Sequence, residues 1–440
     1  MNILIQALQL ILALSILVVI HELGHYLFAR LFKVKVEKFY LFFDPWFALF
    51  RYKPKNSDTE YGVGWLPLGG YVKIAGMIDE SMDKEQMAQP PQPWEFRTKP
   101  AWQRLLIMAG GAMFNIILAF FIYSMVLFTW NDTFLPLKNV TAGMHFSEAA
   151  IDAGFRDGDI LLSADGRELQ RWGNTAFLSI VNASEVTVLR DGQKVQVPIP
   201  SDLMRNLMAA GDGFAGFRIP TVIDEVRENT EAARIGLQQN DKIVSVNGIA
   251  TPTFQDFRRE MENHASQNIE IEYFRNNVLR SATLYVSDEG TIGFIPLTDT
   301  EQIYQTVTNK YGFFQAFPAG VRLGIQTLRD YVSQFRFVFT REGATALGGF
   351  GMIGSLFEVQ WNWQHFWMMA AFLSIILAFM NLLPIPALDG GHIMFLLYEV
   401  ISGRKPNQKF QEYAQMAGLI LLLGLLLYAN GLDIFRAITN

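Results

Sequence analysis

Cysteine is absent from this sequence of 440 residues. A disulfide framework, a thiolate nucleophile and a cysteine metal ligand are therefore excluded, and a transition-metal site would have to use His, Asp or Glu. Histidine is scarce as well, with six in the whole chain, so the candidates for an imidazole ligand are few.

Charge is also low. Asp, Glu, Lys and Arg make up 18% of the residues, while 50% are hydrophobic and the mean hydropathy is +0.18. Soluble domains carry roughly 25% charged residues. The composition therefore predicts a membrane protein with substantial soluble parts. The net charge of −6 gives no basic signature, and no nucleic-acid partner is expected.

Four apolar segments are long enough for a helix to cross a bilayer. We assign them to residues 1–31, 103–130, 362–392 and 411–432. Basic residues follow the first span and precede the second, which by the positive-inside bias puts these ends in the cytoplasm and both termini outside. A cleaved signal peptide is not expected, because no basic region precedes the first run and no small-residue cleavage site follows it.

The first span contains His21-Glu22-Leu23-Gly24-His25. Histidines four residues apart face the same side of a helix. In the H-E-x-x-H pattern both imidazoles bind zinc and the glutamate handles the proton. Ionisable side chains are costly inside a membrane, which favours a functional role for this stretch. At 1.5 Å per residue, Glu22 lies roughly 12 Å from the interface marked by Arg30.

Two histidines are too few for a catalytic zinc, which usually has three protein ligands and an open position. Asp389 is the candidate third ligand, at the end of the stretch N-x-x-P-x-P-x-L-D-G-G that begins at Asn381. Pro384 and Pro386 should break the third span, leaving Asp389 on a glycine-flanked turn near the cytoplasmic interface. His392 is a rival ligand, and its other interpretation is an interfacial histidine that caps the turn.

The sequence of residues 32–100 predicts a β-hairpin loop on the cytoplasmic side, followed by a polar linker. Strand patterns run from Val36 to Phe43 and from Glu60 to Ala75, with a turn at Asp44-Pro45. The position between two spans suggests a hairpin that dips into the membrane, where protein or water must satisfy its backbone. A cytoplasmic hairpin is an equally good interpretation. The linker covers residues 78–100 and contains Asp79, Glu80, Asp83 and Glu85, followed by three prolines.

Residues 135–298 contain an internal repeat. Ser147–Leu161 and Thr230–Val244 share A-x-x-(A/I)-G-(F/L)-x-x-(G/N)-D-x-(L/I), and each copy precedes an Asp-Gly or Asn-Gly turn. The pattern predicts two β-rich domains, 135–215 and 216–298. Both resemble PDZ domains, which bind an extended peptide as an added strand.

Two further features have more than one interpretation. An apolar stripe from Val321 to Phe339 predicts an amphipathic helix within 305–345, lying on the membrane or packed on the bundle, and an ordinary core-facing helix is the alternative. Asn115 lies inside the second span, where an asparagine often makes only a helix–helix hydrogen bond.

The order of these motifs along nearly the whole chain resembles the site-2 protease family. The fold class expected from it is a multi-domain membrane protein: a four-span α-helical core, a membrane-dipping β-hairpin and two extracytoplasmic β-rich PDZ domains. The resemblance implies that His21, His25 and Asp389 bind Zn2+ and that Glu22 is the general base.

The resemblance also implies which residues contact a substrate. Asn115 and Asn381 would hold the substrate backbone, and the hairpin strand would pair with the unwound substrate helix. The hairpin positions concerned are Tyr61, Gly62, Val63, Gly64, Gly69 and Gly70. This chain departs from the family at Ala112, where the G-P-x-x-N motif has proline, and at Phe42–Trp46, which replaces a G-F-G-like stretch.

The implied activity is that of an intramembrane zinc endopeptidase in the bacterial inner membrane. Its substrates would be single-span membrane proteins, namely anti-sigma factors already cut outside and remnant signal peptides. The PDZ pair, in the periplasm or outside, would exclude uncut substrates by size. A PDZ scaffold with an inactive site is an alternative, but it gives no reason for Glu22 or Asp389. A zinc transporter is a further alternative, but it would need polar residues along several spans.

Overall fold

The computed structural model of the chain describes residues 2–77, 89–211, 213–345 and 347–439. The chain forms two compact units: Met1–Asn131 with Lys310–Asn440, and Asp132–Asn309. They are called the membrane unit and the inserted unit below. Much of the predicted polar linker, including Asp79, Glu80, Asp83 and Glu85, lies outside the described residues.

The helices follow one another along the chain. They are α1 Asn2–Leu31, α2 Ala101–Trp130, α3 Glu148–Asp152, α4 Asn174–Val181, α5 Leu203–Ala210, α6 Glu231–Arg234, α7 Phe254–Asn263, α8 Thr300–Ile303, α9 Phe313–Phe335, α10 Arg341–Thr345, α11 Phe350–Ser355, α12 Trp363–Leu382, α13 Asp389–Ser402 and α14 Gln408–Thr439.

The strands are grouped in small sheets. They are β1 Val36–Tyr52, β2 Glu60–Ile74, β3 Asp132–Phe134, β4 Met144–Phe146, β5 Ile160–Ala164, β6 Arg167–Glu168, β7 Glu185–Arg190, β8 Gln193–Pro198, β9 Ala215–Phe217, β10 Thr221–Val226, β11 Lys242–Val246, β12 Ile249–Ala250, β13 Asn268–Arg275, β14 Val278–Tyr285, β15 Phe294–Pro296 and β16 Val307–Asn309.

Four of the helices, α1, α2, α12 and α14, are long and apolar enough to cross a membrane. The predicted membrane class is therefore confirmed, and the described residues contain as many candidate spans as predicted. The last helix is longer than the predicted 411–432, because Ile434, Phe435 and Ile438 extend its apolar surface.

Helix α2 is the centre of the membrane unit, and α1, α9, α12 and α13 all pack on it. The predicted amphipathic helix α9 is one of these neighbours, so it packs on the bundle. Gly324 of α9 allows the close approach, since a methyl group there would lie 2.5 Å from the Phe120 ring. At its far end, Tyr331 and Phe335 contact the ring of Phe379 on α12.

The hairpin of β1 and β2 is folded back on itself. Residues 36–41 pair with residues 70–74, and residues 48–52 pair with residues 61–64. Residues 38–41 also lie opposite residues 60–63, so the two long strands form four arms side by side. Phe42 and Trp46 adopt positive φ angles of 67° and 75° at the point where β1 reverses. Such angles are uncommon for aromatic residues.

The helical conformation is interrupted between α12 and α13, as the two prolines predict. Pro384 and Pro386 have no N–H groups, so the break leaves few donors unpaired. The expectation that Asp389 lies on a turn is wrong, because it is the first residue of the helix α13. Gly390 and Gly391 do not form a turn. They let the start of α13 pack directly on the backbone of the break, where a methyl group on Gly391 would lie 2.7 Å from the Ile385 carbonyl oxygen.

The inserted unit has two separate hydrophobic cores, one for each copy of the repeat. The order of elements also repeats: a short helix, a strand, a two-residue strand, a second helix and a two-stranded hairpin. The first copy is 135–215 and the second 216–298 in the predicted division. The assignment of both copies to the PDZ fold stays a prediction.

A buried ion pair occurs at the same place in each copy. Asp159 accepts two hydrogen bonds from Arg190, at 2.7 and 2.8 Å, and Asp241 accepts two from Arg275, at 2.5 and 2.8 Å. Each carboxylate is 1% exposed. The carboxylate raises the pKa of both Arg190 and Arg275. The two copies are therefore alike in their buried polar groups as well as in sequence.

The inserted unit begins and ends on paired strands. Strands β3 and β16 are antiparallel, with Thr133 opposite Thr308 and their hydroxyl oxygens 2.9 Å apart. In the membrane unit, the Tyr311 N–H donates to the Asn131 side chain at 3.2 Å. The first and last strands of the inserted unit are therefore neighbours. The two membrane-unit residues that flank the insertion are neighbours as well.

Candidate metal centre

Three side chains of the membrane unit converge on one point. The Nε2 atoms of His21 and His25 are 3.2 Å apart, and Asp389 Oδ2 lies 3.2 Å from the first and 3.3 Å from the second. Both histidines are buried. The chain thus brings α1 and the start of α13 together in a nearly equilateral triangle of nitrogen and oxygen atoms.

This triangle has the size that a tetrahedral zinc site requires. With bonds of 2.0–2.1 Å, two ligands of a tetrahedral zinc are about 3.3–3.4 Å apart. Asp389 Oδ2 is buried and receives no hydrogen bond within the described part of the chain. A cation among the three atoms would supply the missing partner. Two imidazoles and one carboxylate also form a donor set that zinc accepts.

The second nitrogen of His25 supports the same interpretation. His25 Nδ1 lies 2.8 Å from the carbonyl oxygen of Ile107 on α2. A carbonyl only accepts, so Nδ1 must carry the hydrogen, and the neutral ring keeps its lone pair on Nε2. An outer hydrogen bond of this kind is typical of histidines that bind a metal.

Asp389 is held in place by the helix that it begins. Ten residues further along α13, Glu399 pairs with Arg104 at the start of α2, with 2.5 Å between oxygen and nitrogen. Both side chains are largely buried, at 13% and 10% exposed. This ion pair fixes α13 against α2. The sequence signal for it was a single acidic residue in the apolar stretch 393–401.

Gly111 of α2 makes room for the two imidazoles. A methyl group at this position would lie 2.7 Å from His21 Nε2, and even closer to His25. Only glycine leaves the histidine rings free to face Asp389. Glu22 lies between the histidines on α1 and is half-buried.

Both predicted asparagines lie beside His21. The amide nitrogen of Asn115 is 3.3 Å from Nδ1, and that of Asn381 is 3.4 Å from Nε2. Asn115 is fully buried, whereas Asn381 is half-buried at the end of α12. The two family positions therefore have different surroundings.

The predicted substrate-binding positions on the hairpin also differ among themselves. Tyr61, Gly62 and Val63 each pair on both sides, so their backbone groups lie inside the sheet. Gly70 pairs with Leu41 alone, on an outer arm of the sheet. The remaining positions, Gly64 and Gly69, lie near the point where β2 turns, Gly64 opposite Ala48 and Gly69 next to the Phe43 ring.

The outer arm at Gly70 lies against the helix that carries the metal motif. A methyl group on Gly70 would be 2.7 Å from Val18, one turn before His21 on α1. A second link to α1 is the hydrogen bond between the hydroxyls of Tyr26 and Tyr61, at 2.8 Å. The hairpin is thus anchored on both sides of the two histidines.

His392 is not part of the converging group. Its Nε2 lies 2.7 Å from the amide nitrogen of Gln415 on α14, which acts as the donor. Sequence reasoning did not find the Ile107 carbonyl, Gly111 or Arg104. A backbone acceptor has no residue-type signature, and a glycine in an apolar helix does not show which side chains it makes room for.

Comparison with known proteins relates the chain to a family. The family model described as peptidase family M50 matches residues 9–425. Protease RseP of Yersinia pestis is 30% identical over 97% of this chain and 98% of its own length. The regulator of sigma-E protease RseP of Escherichia coli is 29% identical, covering 95% and 96%. Metalloprotease MmpA of Caulobacter vibrioides is 27% identical, covering 99% and 98%.

Proposed function

The chain belongs to peptidase family M50 and is a zinc metallopeptidase, and from this premise we propose that it cuts single-span membrane proteins inside the bilayer. Two finer points belong to the proposal. His21, His25 and Asp389 hold the zinc, and Glu22 is the general base.

The observation that carries the proposal is the convergence of three ligand atoms at membrane depth. The histidines lie on α1, six or more residues from its end at Leu31. The carboxylate of Asp389 lies at the start of α13, directly after the interruption that follows α12. Buried ionisable side chains in a membrane span are costly and mark functional sites. Zinc, when bound there, supplies a Lewis acid that makes water nucleophilic near neutral pH.

Glu22 supplies the proton transfer. It follows His21 directly on α1 and is half-buried, and we assign its carboxylate to accept a proton from the attacking water. The same carboxylate then returns the proton to the nitrogen of the leaving amine. Asn381, beside His21 Nε2, is placed to donate its amide hydrogens to the substrate carbonyl.

A substrate helix must be unwound before it is cut, because its peptide bonds are hidden in its own hydrogen bonds. The outer arm of the hairpin at Gly70 can replace those bonds by pairing with the extended segment. Its contact with Val18 brings that arm next to the metal ligands of α1. We therefore assign substrate pairing to Gly69 and Gly70, and a supporting role to Tyr61, Gly62, Val63 and Gly64.

The name of one relative supports a substrate class. The Escherichia coli protein is named as a regulator of sigma-E protease, which supports anti-sigma factors as substrates here. By the same similarity, the enzyme resides in the bacterial inner membrane. We further propose that both copies of the inserted unit are PDZ domains on the periplasmic side, and that they limit the size of the substrate's outer domain.

The test is the substitution Glu22→Gln in the full-length protein. The amide keeps the shape of the side chain but cannot take a proton. We expect zinc content equal to that of the unchanged protein and at least a hundredfold slower cleavage of a single-span substrate, the range that general bases contribute. The matched control is Glu228→Gln, the same change at an exposed position of the inserted unit.

Two results would count against the proposal. Unchanged cleavage by the Glu22→Gln protein would refute the role of this base. Full zinc occupancy in the Asp389→Ala protein would move the third ligand elsewhere. Cleavage is read as appearance of the cut fragment in detergent, and zinc by elemental analysis of the same samples.

A further inference from the structure

His21 has neighbours at both of its ring nitrogens. Nε2 points at the metal position, and Nδ1 lies 3.3 Å from the side-chain amide of Asn115. Asn115 is fully buried in the middle of α2. The contact is therefore shielded from water. The His21 Nδ1 atom and the Asn115 amide must satisfy each other's hydrogen bonding without it.

The hydrogen count at His21 determines which amide atom must face it. A neutral imidazole carries one hydrogen, so a lone pair on Nε2 for the metal leaves the hydrogen on Nδ1. Nδ1–H needs an acceptor. The amide nitrogen of Asn115 is a donor only, whereas the amide oxygen accepts.

The oxygen of that amide lacks a partner where it lies. Asn115 Oδ1 is buried and receives no hydrogen bond from any residue that the structure describes. An amide rotated by 180° fills the same volume, so hydrogen bonds decide its orientation. Rotation places Oδ1 at the position 3.3 Å from His21 Nδ1, where it accepts the ring hydrogen.

We propose that Asn115 is a positioning residue for His21, whose amide oxygen accepts the Nδ1 hydrogen and so directs Nε2 to the metal. This inference rests on the proposed role of His21 as a ligand. The arrangement parallels that of His25, whose Nδ1 donates to the Ile107 carbonyl. Helix α2 would then hold both imidazoles, and the substrate backbone would be held by Asn381 without Asn115.

The experiment compares two substitutions in the full-length protein by competition with a zinc chelator. Asn115→Asp keeps an acceptor for the ring hydrogen, and its zinc affinity should stay within about threefold of the unchanged protein. Asn115→Leu has a similar volume and no acceptor, and its affinity should fall about 10- to 100-fold, the usual effect of losing such a partner. Equal zinc affinity in both variants would overturn the proposal, since a substrate contact would alter cleavage alone.

A matched control separates the amide from the packing around it. The Ser374 hydroxyl donates to the backbone carbonyl of Asn115 at 2.8 Å, at an equally buried place. Ser374→Ala should leave zinc affinity unchanged. If it weakens zinc as much as Asn115→Leu does, packing between α2 and α12 is the cause and the proposal fails. The absorption spectrum of the cobalt-substituted protein adds a readout of His21 geometry: a shift in Asn115→Leu but not in Asn115→Asp is expected.

The ligand assignment is tested in parallel with His21→Ala. Retained zinc affinity in that variant would refute the ligand set on which the proposed function depends. Lost affinity in His21→Ala with unchanged affinity in Asn115→Leu would refute only the role of Asn115.

Discussion

Gly24 and Gly110 bring the backbones of α1 and α2 into contact beside the metal centre. A methyl group on Gly24 would lie 2.6 Å from the carbonyl carbon of Gly110, and one on Gly110 would lie 2.7 Å from the carbonyl oxygen of Gly24. Gly24 precedes His25 directly. The crossing of the two helices therefore sets how closely the imidazoles approach their partners on α2.

A side chain at this crossing should disable the site. We expect Gly24→Ala to push α1 away from α2, which weakens the hydrogen bond of His25 to the Ile107 carbonyl. Zinc affinity should fall at least tenfold, as for the loss of a partner of a metal-binding histidine. Chelator competition and fragment yield measure the two effects.

The control for this change is Gly424→Ala in the last span, where an added methyl group meets no atom within 4 Å. It should leave zinc affinity and cleavage unchanged, and should gain up to about 1 kcal/mol of helix propensity. Equal zinc affinity in the Gly24→Ala and Gly424→Ala proteins would contradict the importance of the crossing.

The ion pair of Arg104 and Glu399 should be needed for stability. Arg104→Met leaves the Glu399 carboxylate buried without its partner. Such a change typically lowers the free energy of unfolding by about 3–5 kcal/mol. We expect a lower unfolding temperature in detergent, and weaker zinc binding because α13 begins with Asp389.

The double variant Arg104→Met with Glu399→Leu is the control for that prediction. With both charges gone, no buried charge is left unpaired, and most of the lost stability should return. If the double variant is as unstable as Arg104→Met alone, the side chains matter through packing and not through their charges.

The membrane-dipping hairpin can be tested with thiol labelling, because the chain has no cysteine of its own. Trp46 is 89% exposed at the reversal of β1, beside exposed Phe47. If this tip lies in lipid, Trp46→Cys should react with a charged maleimide in detergent but not in inside-out membrane vesicles. Lys55→Cys, at the exposed turn between β1 and β2, should react in both. Equal labelling of both positions in vesicles would mean that the hairpin lies in the cytoplasm.

Removal of the inserted unit should widen the range of substrates. Asn131 and Tyr311 are hydrogen-bonded, so Asp132–Asn309 can be replaced by a short glycine-serine linker with little strain on the ends. We expect this protein to retain zinc and to cut substrates that keep a bulky outer domain. A substrate already trimmed outside should be cut equally by both proteins. Continued resistance of untrimmed substrates would rule out the size-filter role.

The sequence predicted the features that depend on local patterns. The four spans follow from apolar length, the metal motif from the spacing of His21 and His25, and the repeat from a pattern within short stretches. The proposed third ligand could be narrowed to Asp389 because few ionisable residues share the depth of the histidines. Each of these inferences needs only neighbouring residues and the thickness of a bilayer.

Features set by tertiary contacts were beyond such reasoning. The Gly390-Gly391 pair predicts a turn, yet both glycines lie in the first turn of α13, where Gly391 packs on the carbonyl of Ile385. The fold-back of β1 depends on positive φ angles at Phe42 and Trp46, which residue preference alone disfavours. The link of Arg104 to Glu399 joins residues 295 positions apart.

The placement of the proposed ligands far apart along the chain has a consequence during synthesis. His25 is made early, but Asp389 follows only after the inserted unit has been translated. At about 5–20 residues per second, roughly 20–70 s pass between the two. A nascent or prematurely released chain therefore holds two histidines without their third partner. With Asp389 as the proposed third ligand, the zinc site can form only after residue 389 has been made, so we expect no cleavage before that point.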